Sequence, residues 1–106
     1  MPEKTLIVSI RIGNAGRADA RRNSLLETAY HLSNGIVWDE TTSWDETTSL
    51  LLLKSEKSAH QIASDLYLRS TMRHDLDTLL VIDLDSRHYA THGKVEYPKT
   101  LESFFE

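Results

Sequence analysis

The order of hydrophobic patterns predicts an α+β fold, β-α-β-β-α-β: a four-stranded antiparallel sheet, two helices on one face and a short C-terminal extension. Three observations carry this expectation. Apolar alternation or short apolar runs of strand length occur at 5–12, 50–54 and 79–84. Patterns with helical spacing fill 17–33 and 58–73. Turn residues and a capping pattern stand between them. A chain of 106 residues, 40% apolar and 26% charged, suits one small domain over 1–106 with one core. It has no cysteine, which excludes a disulfide framework, a thiolate metal site and a thiol nucleophile. Apolar runs such as Leu50–Leu53 fall far short of the ~20 residues that span a bilayer. The start, Met1-Pro2-Glu3-Lys4, lacks a signal-peptide layout, so the expectation is a cytoplasmic protein with no membrane partner.

In the first strand, Leu6, Val8, Ile10 and Ile12 share one face, and Thr5, Ile7, Ser9 and Arg11 the other. Gly13-Asn14-Ala15-Gly16 ends it with residues that tolerate positive φ. The first helix follows, with Leu25, Leu26, Ala29 and Leu32 on its apolar stripe. Arg17, Arg21, Glu27 and His31 are expected to face water, and Asn34-Gly35 to stop the helix. Ile36-Val37-Trp38 opens the second strand and runs into a tandem duplication, in which Trp38–Ser43 (WDETTS) is repeated without change as Trp44–Ser49. Six residues are too few for a solenoid repeat of ~20–45. Because six is even, the insertion keeps every later strand side chain on its face. The acidic, threonine-rich surplus is poor core material and is expected to project as a long β2–β3 hairpin or exposed loop.

Leu50–Lys54 is the third strand, and its unbroken leucines suggest cover on both faces. Ser58 and Gln61 form a capping box for the second helix, which is expected to run to about Arg73. Leu79–Leu84 is the fourth strand. A short strand at Lys94–Tyr97 and an amphipathic turn at Thr100–Phe105 complete the tail. This order is the split βαβ, or ferredoxin-like, arrangement. Its two helices leave Ile7, Leu79 or Leu80 and part of Leu50–Leu53 on an uncovered face, from which a homodimer packed sheet to sheet or through the tail is expected.

Several segments carry a resemblance. The Trp and Thr-Ser before an apolar strand, Lys54-Ser55-Glu56-Lys57-Ser58-Ala59 before the second helix, and Asp77-Thr78-Leu79-Leu80-Val81-Ile82-Asp83-Leu84-Asp85 are similar to the SinR-like bacterial family. That family is related to the CRISPR-associated protein-two and virulence-associated protein D group of dimeric ferredoxin-like proteins. The resemblance spans Thr5 to Phe105; a type V antitoxin is similar in architecture only. It implies a dimer in a mobile-element or toxin–antitoxin context, with nucleic acid or another protein as partner. Nucleases of the group tend to carry an Asp at the end of the first strand. Here Arg11 stands near that place, and a cation cannot hold Mg²⁺, which needs oxygen ligands.

Two constellations bear on chemistry. Asp83 and Asp85, spaced two apart on one strand face with Asp75 and Asp77 nearby, could hold Mg²⁺; the structural reading is a strand end entering a polar turn. Gly13–Arg17, between a strand and a helix, could receive an anion with Arg11, Arg17, Arg21 and Arg22 supplying phosphate-seeking charge, although glycines also shape ordinary turns. His31, His60, His74, His88 and His92 read as solvated, without a zinc motif; Arg87, His88, His92 and Lys94 form a small basic run. No Ser-His-Asp or Ser-Lys arrangement can be assembled. The expectation is a non-catalytic dimeric binding or regulatory module without a cofactor. The alternatives are a metal-dependent nuclease using Asp83, Asp85 and Mg²⁺, and an antitoxin-type RNA-binding protein.

Overall fold

The computed structural model describes residues 4–14, 17–32, 43–44 and 50–106. In chain order these form β1 (Lys4–Arg11), α1 (Ala18–Leu32), β2 (Ser43–Trp44), β3 (Leu50–Ser55), α2 (Ala59–Arg69), β4 (Thr78–Asp83), β5 (Tyr89–Gly93) and α3 (Pro98–Ser103). The strands make one antiparallel sheet in the order β2-β3-β1-β4-β5. Its first four positions are the ferredoxin-like order. Central β1 sets Val8 opposite both Leu51 and Val81.

Period-two alternation places the core. Leu6, Val8 and Ile10 of β1, Leu51 and Leu53 of β3, and Leu79 and Val81 of β4 are buried against Leu25 and Ala29 of α1 and Ile62 and Leu66 of α2. The other face keeps Ile7, Leu52, Leu80 and Ile82 half-buried. Among the described residues of one chain, the leucine run of β3 is covered on the side where the two long helices lie. On the opposite side, at the border of the sheet, Phe105 packs on Tyr89 with ring centroids 4.4 Å apart.

The end of α2 and the place of the tail strand differ from expectation. Helix α2 starts at its capping box, with Ser58 Oγ accepting from Gln61 N and Gln61 Oε1 from Ser58 N. It ends at Arg69 rather than Arg73, because Ser70 turns extended and its hydroxyl donates back to the Leu66 carbonyl and accepts from Met72 N. The tail strand is Tyr89–Gly93, not Lys94–Tyr97. The Asp83 carboxylate accepts from the amides of Asp85 and Ser86, and Arg87 sits at φ 63°, so the chain reverses tightly and pairing begins at Tyr89 opposite Ile82. The extension adds a short helix, α3, with Pro98 at its start.

The expected strand Ile36–Trp38, the Asn34-Gly35 stop and most of the duplication lie outside the described residues. The junction of the two copies is in the sheet, with Ser43 opposite Leu53 and Trp44 opposite Leu52. Deleting Trp44–Ser49 yields the same chain as deleting Trp38–Ser43, since the copies are identical. A Trp then still stands six residues before Leu50, with Val37 in place of Ser43 beside it. The expected result is an unchanged fold with urea stability within about 1–2 kcal/mol of the parent. Loss of cooperative unfolding would place the second copy within the core.

Candidate functional site

Topology brings two connections together. The β1–α1 turn leaves β1 at the end of the sheet where the α2–β4 connection enters β4, because β1 and β4 are antiparallel. Asp77 joins them. Its side chain is fully buried, and its Oδ1 accepts from Gly13 N at 2.9 Å. Its Oδ2 accepts from Arg21 Nε at 2.9 Å and from Arg73 N at 2.8 Å. Arg21 also donates from Nη2 to the Gly13 carbonyl. A Cβ at Gly13 would stand 2.7 Å from the Leu76 carbonyl oxygen, so glycine admits this close approach. Burial pushes the Asp77 carboxyl up, but the hydrogen bonds from Arg21, Arg73 and Gly13 and the Arg21 charge outweigh it, holding the group below the usual carboxylate range.

Above this buried pair is a cavity of ≈ 450 Å³ lined by Arg17, Ala20, Arg21, Ser24, Thr71 and Arg73. Arg21 forms its floor, with its charge matched by Asp77. Arg17 and Arg73 are exposed at its walls; Arg73 makes a two-pronged pair with Asp75 at 2.9 and 3.2 Å. Ser24 Oγ accepts from Thr71 N and pins the α2–β4 connection to α1. Arginine forks and hydroxyls around an open hollow match an oxyanion, and side-chain carbons, those of Ala20 among them, give the hollow apolar wall as well.

Of the arginines singled out in the sequence, Arg17 and Arg21 converge here. Arg21 does not face water as expected: it is 4% exposed, because Asp77 draws the guanidinium inward. Arg11 sits on β1 beside Glu96 at 3.6 Å, and neither Arg11 nor Arg22 lines the cavity. Ala15 and Gly16 of the turn lie outside the described residues. Arg73 was not legible from its local sequence; the signal was topological, since the ferredoxin-like order sets the α2–β4 connection beside the β1–α1 turn.

The acidic candidates sit elsewhere. Asp83 is buried and engaged with the Asp85 and Ser86 amides; burial pushes its carboxyl up, and these bonds, with Lys4, hold it below the usual range. Asp85 is exposed. Asp77 faces Arg21, and Asp75 faces Arg73. Among the described residues, no group of three or more His, Asp or Glu could hold a metal ion. No described helix is long and apolar enough to cross a membrane.

The histidines are not uniformly solvated. His31, His60 and His88 are exposed, but His92 is half-buried and stacks on Tyr67 at 4.9 Å with 6° between planes, because β5 packs under α2. His74 meets the same tyrosine edge-on. Burial, then the neighbouring His74, lower the His92 pKa below its ordinary value. The folded state thus binds this proton less readily than the unfolded chain. The stability it secures is present above about pH 6.5 and is lost as pH falls through the lowered folded value. Urea midpoints should drop between pH 7.5 and 5.5, and His92→Gln should flatten that slope. An unchanged slope in the variant would assign the pH response to other groups.

No family model, curated protein or solved structure matches the chain.

Proposed function

We propose that this protein is a non-catalytic, dimeric binding module that takes phosphate groups, with nucleic acid as partner, at the cavity of Arg17, Arg21 and Arg73. The observation that carries this reading is the convergence of three guanidinium groups with Ser24 and Thr71 around one hollow in a chain of net charge −4. Arg21 and Arg73 are held by Asp77 and Asp75 and serve as preset N–H donors, and Arg17, without a carboxylate in ion-pair distance among the described residues, supplies the net positive charge. The buried Asp77 presets the Arg21 floor, which lowers the ordering cost of binding. Half-buried Ile7, Leu52, Leu80 and Ile82 on the face opposite α1 and α2 support a homodimer packed through the sheet. The metal-dependent nuclease reading has less support, since Asp83 already serves the β4–β5 turn.

The test is an NMR titration with inorganic pyrophosphate. Signals of Arg17, Ser24, Thr71 and Arg73 should shift and saturate, and Arg17→Glu should abolish the effect while Arg11→Glu leaves it intact. Equal loss in both variants, or no saturable shift, overturns the reading. Sedimentation at micromolar concentration should show a dimer; a monomer overturns that element.

A further inference from the structure

We infer that the ligand is a single-stranded nucleic acid backbone lying along the crease between α1 and the C-terminal end of α2, beyond the arginine cavity itself. The inference rests on the phosphate-binding reading above and extends it. A second hollow, ≈ 240 Å³, is lined by Ser24, Glu27, Thr28, His31 and Arg69. Ser24 lines both hollows, so the two adjoin at that residue.

The track follows α1 from Arg17 to His31, about 20 Å at the ~1.5 Å rise of a helix. Phosphates of one stacked strand recur every ~3.4 Å and are spaced further apart when it unstacks, so the track spans several. Arg17 and Arg73 stand at one end and Arg69 and His31 at the other, with Glu27 the one carboxylate in either lining. Among the described residues, neither Arg17 nor Arg69 has a carboxylate within ion-pair distance.

The lining also separates ligand classes. Its side chains other than Ala20 are all polar or charged, which favours a repeating polyanion over a peptide that needs apolar anchor pockets. It has no aromatic side chain other than the His31 ring, so bases have little to stack on and sequence preference should be weak. A single strand is flexible enough to bend into a crease between two helices, whereas a duplex is stiff over this length.

Fluorescence anisotropy tests this with labelled oligo(dT) and oligo(U) of about 10 nucleotides, inside the ~4–16 nucleotide range of single-strand binding folds. A duplex and a poly-glutamate peptide of similar length serve as competitors. Both strands should bind with similar affinity, and a plot of log affinity against log salt should have a slope of about −1.4, from Arg17 and Arg69, the two arginines of the track without a carboxylate partner among the described residues, at about 0.7 each. Arg17→Glu and Arg69→Glu, both exposed, should each weaken binding about tenfold and flatten that slope, while Glu27→Gln tightens binding. Full loss in Arg17→Glu with none in Arg69→Glu would confine binding to the first hollow, overturning the track but not the phosphate reading. Absent strand binding with an intact pyrophosphate response likewise overturns the track alone. Tighter binding of duplex or poly-glutamate overturns the choice of ligand, and loss of the pyrophosphate response overturns the underlying reading itself.

Discussion

Asp77→Ala is expected to cost about 3–5 kcal/mol, the range found when one partner of a buried ion pair is removed. The loss has three physical parts. Arg21, only 5% exposed at its side chain, keeps its charge without a counter-ion. The amides of Gly13 and Arg73 lose their acceptor. The β1–α1 turn, α1 and the α2–β4 connection lose the atom they share. Against the ~5–15 kcal/mol stability of an ordinary domain this is a large fraction, so the variant should unfold at a much lower urea midpoint with a similar slope. Asp77→Asn should cost less, because its side-chain oxygen still accepts a hydrogen bond while the charge is gone. The Asp77 carboxyl titrates lower in the folded state than in the unfolded chain. Its contribution is therefore present above about pH 4 and is lost as pH falls through the lowered folded value, a slope that Asp77→Asn should remove. Equal stability of wild type and Asp77→Ala would show that the pair does not organise this end of the fold.

Gly93→Ala is the second large effect. Gly93 has φ +93°, a conformation that side-chain-bearing residues enter only with strain of about 1–3 kcal/mol. A Cβ there would also lie 1.9 Å from the Asp77 carbonyl oxygen, which is backbone and cannot swing away. That carbonyl accepts from Lys94 N, so relief of the clash breaks the bond joining the end of β5 to the start of β4. The variant should lose at least about 2 kcal/mol. Loss of the Tyr67–His92 stack should report that β5 has moved, read from ring-current shifts in the NMR spectrum. A folded variant with the stack and stability intact would show that the turn absorbs the extra carbon.

Local pattern was enough for the framework. Alternation in Leu6–Ile10 named the buried face of β1, and Ser58 with Gln61 marked the start of α2 to the residue, because both signals act over a few neighbouring positions, whereas the unbroken run Leu79–Ile82 left the buried face of β4 open. Short-range signals failed where a competing contact ended an element. Ser70 stopped α2 before Arg73, and the Asp83-capped turn brought β5 forward to Tyr89. The β3 leucine run was ambiguous for a related reason: Leu50–Leu53 reads the same whether one face is covered or two, and only the position of the helices decides.

The candidate site divides along the same line. Arg17 and Arg21 were visible as basic residues after a glycine turn, since charge and turn chemistry are written in the chain itself. Their different fates were not. Arg21 turned inward and Arg17 stayed in solvent because Asp77, 56 positions beyond Arg21, arrives beneath one and not the other. Arg73 and Arg69 joined them because antiparallel β1 and β4 bring two distant connections to one end of the sheet. The sequence by itself determined strand and helix periodicity, the capping box and the sign of each charge, all of which are properties of near neighbours. The tertiary structure alone decided which arginine is buried against a counter-charge, which line the crease, and which histidine is half-buried, because desolvation and charge pairing depend on distance in space and not along the chain.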